Sequence, residues 1–131
     1  MKKRFSATLI TAALLLSTHA MASSVLHTAT VDQDGNIVSQ SPQWIKAVRF
    51  TSQKDYFATY EVTFKEGQFN EAPGFCSVSS TDTSDYERLL YGHAKLGGAA
   101  TTEKLNVLGL MVGKDGASGH SSMSFQLMCS N

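Results

Sequence analysis

The sequence lacks the features that would place it in a membrane or on a nucleic acid. Its longest apolar run, Ala7 to Leu16, is about half the length that a membrane-spanning helix needs, and no later segment approaches that length. The lysines and arginines after residue 22 are scattered singly, so no basic face is available for phosphate backbones or anionic lipid. We therefore expect a soluble protein with no membrane insertion and no nucleic-acid partner.

The first 22 residues have the three parts of a secretory signal peptide. Residues 2–4 form a basic start, residues 7–16 a short apolar run, and residues 20–22 a small-residue cleavage site. Cleavage after Ala22 would leave 109 of the 131 residues, enough for one domain spanning residues 23–131. The mature chain would then carry eight basic and eleven acidic residues, a net charge of −3. The predicted location is the periplasm or the extracellular space.

Cysteine is scarce, with only two residues, Cys76 and Cys129, both in the exported part. In an oxidising compartment the expected arrangement is one intramolecular disulfide. It would close a loop of about 54 residues and stabilise the fold by roughly 4 kcal/mol on the chain-entropy model. An intermolecular bridge or a redox pair is the alternative, although a redox pair usually has the spacing Cys-x-x-Cys.

The clearest structural signal is a hairpin between Trp44 and Phe64. Residues 44–50 are rich in aromatic and β-branched side chains, and residues 51–55 form a polar turn. In the second strand apolar and polar residues alternate, which is typical of a half-buried strand. The residues on its apolar side are Tyr56, Ala58, Tyr60, Val62 and Phe64.

Turn residues divide the remaining chain into further short strands. Strands are predicted in residues 25–31, 36–39, 75–79, 105–112 and 122–129, and Asp34-Gly35 is a hairpin turn. Periodicity does not decide residues 81–104, in which residues 86–91 form either a helical turn or a strand. About seven strands and no amphipathic helix predict an all-β fold, an antiparallel, jelly-roll-like β-sandwich with one disulfide.

Motifs for catalysis, metals or cofactors are incomplete. Asp32-x-Asp34-Gly35 begins like a calcium loop but lacks the later ligands, so a plain turn is favoured. His27, His93 and His120 have no paired spacing that would indicate zinc. The segment 119–123 lacks the last glycine of a nucleophile elbow, and the glycines of residues 113–119 have no phosphate-binding lysine motif. We expect no enzyme, no metal and no cofactor.

Aromatic side chains with a polar group favour a binding function instead. Trp44, Tyr56, Tyr60, Tyr86 and Tyr91 are many for a chain of this length, and such rings stack on sugars or anchor protein interfaces. Trp44 and Tyr60 fall on predicted core positions. The predicted ligand-binding residues are therefore Tyr86, Arg88 and Tyr91, which lie between two loops.

Part of the mature chain, roughly residues 34–78, resembles a known module. The residues that carry the resemblance are Gly35-Asn36-Ile37, Trp44-Ile45-x-x-Val48, Tyr60-Glu61-Val62-Thr63-Phe64, Phe69 and Pro73. They are similar to a β-sandwich module found at the tips of bacteriophage tail fibres and in bacterial surface proteins. The resemblance implies a jelly-roll-like fold, a homotrimer, and receptor binding or fibre capping, and it implies no catalytic residues.

Three functions remain open at this point. The first is an exported, non-catalytic protein that binds a surface glycan or a protein. The second is a small exported inhibitor or immunity protein of a hydrolase that acts on the cell envelope. The third is a structural subunit of an extracellular fibre or matrix.

Overall fold

The computed structural model describes residues 24–113, 116–117 and 119–131, so the predicted signal peptide lies outside the described residues. The described chain forms strands and one short helix. In chain order these are β1 (Leu26–Val31), β2 (Ile37–Ser41), β3 (Ile45–Ser52), β4 (Ala58–Phe64), β5 (Phe75–Ser80), α1 (Tyr86–Tyr91), β6 (Gly92–Leu96), β7 (Lys104–Gly113), β8 (Gly116–Ala117) and β9 (Phe125–Ser130).

The strands form two antiparallel sheets. The first sheet has the strand order β2-β1-β9-β5, and the second has the order β3-β4-β7-β6, with the two-residue β8 paired to β7. The predicted all-β sandwich is thereby confirmed. The strand predicted over residues 105–112 is confirmed as β7, which lies between β4 and β6 inside the second sheet.

The core lies between the sheets and follows the alternation of the sequence. The buried side chains of β4 are Ala58, Tyr60, Val62 and Phe64, and those of β9 are Phe125, Leu127 and Cys129. The rings of Tyr60 and Phe125 meet edge to face across the two sheets, with centroids 5.0 Å apart.

Trp44 fills one end of this core, as its sequence position predicts. Its indole N–H donates to the Thr28 carbonyl oxygen at 2.9 Å, so the one polar group of the ring is satisfied inside the protein. The placement of Tyr56 on the core side is wrong. Tyr56 precedes β4 in the turn and is half exposed, because the strand ladder begins only at Ala58.

The predicted disulfide is confirmed. Cys76 on β5 and Cys129 on β9 lie directly opposite each other in the antiparallel register and are bonded. The bond joins β5, the last strand of the first sheet, to the neighbouring strand β9.

Two parts of the sequence prediction need correction. The described chain has nine strands rather than about seven, because β6 and the short β8 were not predicted. β9 begins at Phe125 rather than Ser122. The preceding residues leave the ladder because the Met123 N–H donates to the Tyr60 hydroxyl and the Ser124 N–H donates to the Asp82 carboxylate.

Across the described residues, no helix has the length and apolarity needed to cross a membrane.

Candidate functional site

Helix α1 presents four large apolar side chains to solvent. Tyr86 is 75% exposed, Leu89 57%, Leu90 51% and Tyr91 46%, and no residue of the helix is buried. We call these four side chains the α1 patch. Two of them, Tyr86 and Tyr91, are the tyrosines that the sequence predicts as ligand-binding residues.

The ends of α1 are fixed by short-range chemistry. Asp85 is the N-cap, and its carboxylate accepts from the Arg88 N–H at 2.7 Å, which satisfies one of the free donors of the first turn. Gly92 ends the helix and donates its N–H to the Arg88 carbonyl oxygen. A Cβ at Gly92 would collide with the backbone carbonyl oxygen of Arg88 as well as with the end of the Met123 side chain, so glycine is required where the helix ends.

Arg88 does not join the two tyrosines at the surface. Its side chain is only 14% exposed, and its guanidinium forms ion pairs with Asp82 at 3.6 Å and Asp85 at 3.5 Å. It also donates to the carbonyl oxygens of Ser122 and, at 3.2 Å, His120. Arg88 therefore links α1 to the segment before β9. These contacts fix the position of the helix and so of Tyr86 and Tyr91.

Asp82 is the buried partner of Arg88. Its carboxylate accepts hydrogen bonds from the Ser84 hydroxyl and N–H and from the Ser124 N–H. Desolvation raises the pKa of the Asp82 carboxyl, but these hydrogen bonds and the Arg88 charge together outweigh it and hold the pKa below its usual value of 3.8. Asp82 is thus ionised at neutral pH and completes an internal charged network.

The surroundings of the α1 patch carry negative charge. The exposed acidic side chains are Asp85 and Glu87, whereas Arg88, the one basic residue between positions 82 and 91, is paired with Asp85 and with the buried Asp82. Glu87 is exposed on the helix. A partner that covers the patch would meet apolar rings and an acidic rim.

Asp32 and His27, two other sequence candidates, have structural roles. The Asp32 carboxylate accepts from the N–H groups of Asp34 and Asn36 at 3.0 and 2.7 Å, which is the geometry of a turn. His27 is buried, and its ring lies 4.5 Å from that of Phe69. Within the described ranges, no three His, Cys, Asp or Glu side chains are grouped so that they could hold a metal ion.

A second surface was missed by the sequence analysis. The outer face of the first sheet is a shallow depression of about 420 Å³. Its lining contains serines and threonines from three strands in the pattern Thr28-x-Thr30, Ser39-x-Ser41 and Ser77-x-Ser79. This repeated spacing is visible in the sequence, but only the strand register shows that the three pairs share one face.

Comparison of the chain with known protein families, characterised proteins and solved structures finds no match. The resemblance to tail-fibre-tip modules therefore stays a hypothesis, and a function has to be argued from the geometry of the molecule.

Proposed function

We propose that the protein is an exported, non-catalytic binding protein that docks on a protein partner through the α1 patch. The observation that carries the proposal is the exposure of four large apolar side chains on one helical turn that contributes nothing to the core. Contiguous exposed apolar surface of this kind marks interaction sites, and tyrosine is enriched among the residues that dominate binding energies.

The rigidity of α1 supports the same proposal. A solvent-exposed helix of six residues is too short to be stable alone. Here the Asp85 cap and the Arg88 contacts hold it in one position. A surface that is already ordered loses little conformational entropy when a partner binds, and this favours affinity.

The charge around the patch indicates the partner's chemistry. Glu87 and the partly exposed Asp85 lie beside the apolar side chains. The expected partner offers an apolar groove bordered by lysine or arginine side chains. Complementary charges of this kind raise association rates and select the partner, and their effect falls as salt is added.

Export is part of the proposal. A disulfide between Cys76 and Cys129 is compatible with an oxidising compartment, where such bonds persist. The basic and apolar pattern of residues 1–22 has the form of a secretory signal.

The test compares three forms of the purified protein as bait for proteins of the producing cell's envelope and medium. The forms are the natural protein, Leu89→Ser, and Val38→Ser as a matched control. Val38 is 65% exposed on β2 and lies outside the α1 patch, so its substitution makes the same kind of change elsewhere. We expect one partner that is retained by the natural protein and by Val38→Ser, is lost with Leu89→Ser, and binds more weakly at high salt.

Two results would contradict the proposal. Retention of the same proteins by all three forms would show that the patch does not bind. Light scattering that finds an oligomer dispersed by Leu89→Ser would assign the patch to a second copy of the chain, as the fibre-tip resemblance implies. A captured partner that proves to be an envelope hydrolase, with its activity blocked on binding, would support docking and identify the inhibitor form of this function.

A further inference from the structure

The outer face of the first sheet carries a regular array of uncharged polar side chains, which we call the hydroxyl face. Its polar members are Thr28, Thr30, Ser39, Ser41, Ser77, Ser79 and Gln126, and the apolar Met128 lies among them. One row across the strands pairs Ser39 with Thr30, Thr30 with Gln126, and Gln126 with Ser79. The parallel row runs from Ser41 through Thr28 and Met128 to Ser77. With strands ~4.8 Å apart, each row is on the order of 14 Å long.

The hydrogen-bonding capacity of this face is largely unused by the protein. Among the described residues, the Thr28 hydroxyl donates to the Ser41 carbonyl oxygen at 3.3 Å, and it is the one side chain of the array that bonds to another protein group. Each remaining hydroxyl offers one donor and two acceptors, and the Gln126 amide offers both kinds of group. A ligand rich in hydroxyls has the matching set of donors and acceptors.

The absence of charge is specific to this face. None of the residues that line the depression is acidic or basic. The outer face of the second sheet instead carries an ion-paired cluster in which Glu61 contacts Arg49 at 3.2 Å and Lys104 at 2.9 Å. Neutrality is therefore not a general property of the surface of this protein. A neutral depression has no group that compensates a phosphate, sulfate or carboxylate on a ligand.

An apolar strip borders the array at one end. Leu26 and Phe75 both lie opposite Ser130 in the register and are 51% and 54% exposed. Met128, which is 37% exposed, lies two residues from Ser130 along β9. A pyranose ring combines hydroxyl groups at its edge with an apolar C–H face, so the combination of hydroxyl rows and an exposed phenyl ring matches both of its surfaces.

We propose that the hydroxyl face is a binding site for a neutral glycan. The site lies on the first sheet, whereas α1 packs near β6 and β7 of the second, so it is separate from the α1 patch. The two proposals do not depend on each other. The proposal of a glycan site rests on the concave shape, the two rows of polar side chains and the absence of charge in the lining of the depression.

The test measures binding of the natural protein to dextran, mannan and a neutral galactan, with the acidic polysaccharide alginate for comparison. Thr30→Val keeps the shape of the side chain and removes one hydroxyl, and Ser79→Ala removes a second hydroxyl in the same row. Thr59→Val on the outer side of β4 is the matched control, because it makes the same exchange on the other sheet. Circular dichroism melts establish that each variant is folded.

We expect at least one neutral polysaccharide to bind, with little dependence on salt. Each lost hydroxyl should weaken binding about fivefold, since one hydrogen bond contributes about 1 kcal/mol. Thr59→Val and Leu89→Ser should bind as the natural protein does, and the second of these separates this site from the α1 patch. Gln126→Lys should abolish binding of the neutral polysaccharide.

Three outcomes would overturn the proposal. In the first, none of the neutral polysaccharides binds, or alginate binds more tightly than they do. In the second, Thr59→Val weakens binding as much as Thr30→Val, so that the hydroxyl face is not the site. In the third, light scattering shows an oligomer that Thr30→Val disperses, which would assign the face to a second copy of the chain.

Discussion

Replacing Arg88 by methionine should destabilise the whole domain, although Arg88 lies on a helix that has no buried residue. Methionine keeps the length and part of the packing of the side chain and removes its charge. The guanidinium of Arg88 pairs with Asp82, whose side chain is 2% exposed, and donates to two carbonyl oxygens of the segment before β9. The substitution leaves the buried Asp82 carboxylate without a cationic partner.

The magnitude follows from the burial of the pair. Removing one member of a buried ion pair costs about 3–5 kcal/mol, because the remaining charge stays desolvated. The Arg88 side chain retains some exposure, and Asp82 keeps its hydrogen bonds from Ser84 and Ser124, so the lower limit applies. We expect a loss of about 3 kcal/mol, which lowers the melting temperature by roughly 12 °C or more in a domain of this size.

The loss in free energy of unfolding is measured by denaturant unfolding of Arg88→Met, Asp82→Asn and the double variant. The double variant should lose less than the sum of the single losses, because the Asp82→Asn substitution removes the charge that Arg88→Met leaves unpaired. In the natural protein the lowered pKa of Asp82 contributes stability above pH 3.8 that is lost as the pH falls through the folded pKa. In Arg88→Met the pKa of Asp82 in the folded state should rise, so the stability lost on acidification should be smaller than in the natural protein. A loss below about 1 kcal/mol, together with additive single losses, would refute the assignment of Arg88 to a buried network.

Two further predictions concern the core. Cys76→Ser should lower the free energy of unfolding by about 4 kcal/mol under oxidising conditions. Under reducing conditions the variant and the natural protein should be equally stable. Free thiols in the native, oxidised protein would contradict this prediction. Tyr60→Phe should cost about 1–3 kcal/mol at neutral pH, since it leaves the Gln33 carbonyl and the Met123 N–H without their partner. Burial raises the pKa of Tyr60 to about 12, so the natural protein should lose stability as the pH rises from 10 towards 12, and an equal loss in Tyr60→Phe would assign that titration to another group.

The sandwich was predictable because its signal is a period of two along single strands. In β4 and β9 every second residue enters the core, and a pattern of burial on one side is read directly from the order of residues. The disulfide could be predicted because the chain has only two cysteines and a predicted export signal.

Helix α1 was undecided for a physical reason. Its apolar residues Tyr86, Leu89 and Leu90 have the i, i+3, i+4 spacing of a helix, but a helix of six residues is too short for periodicity to distinguish it from a strand. Its local signal was the cap: Asp85 precedes the helix and accepts from the N–H of the third residue after it. The exposure of the two tyrosines agrees with the predicted surface location, whereas the inward turn of Arg88 depends on Asp82 and on the Ser122 carbonyl, which only tertiary structure brings together.

The hydroxyl face could not be predicted from the sequence because it depends on pairing between strands that are distant in the chain. Thr28 and Thr30 meet Ser39 and Ser41 through a local hairpin, but Ser77 and Ser79 reach the same face only because β9 lies between β1 and β5. A shift of one residue in either pairing would turn one pair of hydroxyls towards the core.

The Cys76–Cys129 disulfide lies beside the hydroxyl face and holds two of its strands together. In the part of the chain that the structure describes, β5 is an edge strand and its backbone pairs within the sheet with β9 alone. Cys76 immediately precedes Ser77 and is bonded to the strand that carries Gln126 and Met128. The bond therefore holds the Ser77 and Ser79 hydroxyls in line with those of β1 and β2. A polar site gains affinity when its groups are ordered before the ligand arrives, so the covalent link at this edge serves the geometry of the hydroxyl face as well as the stability of the core.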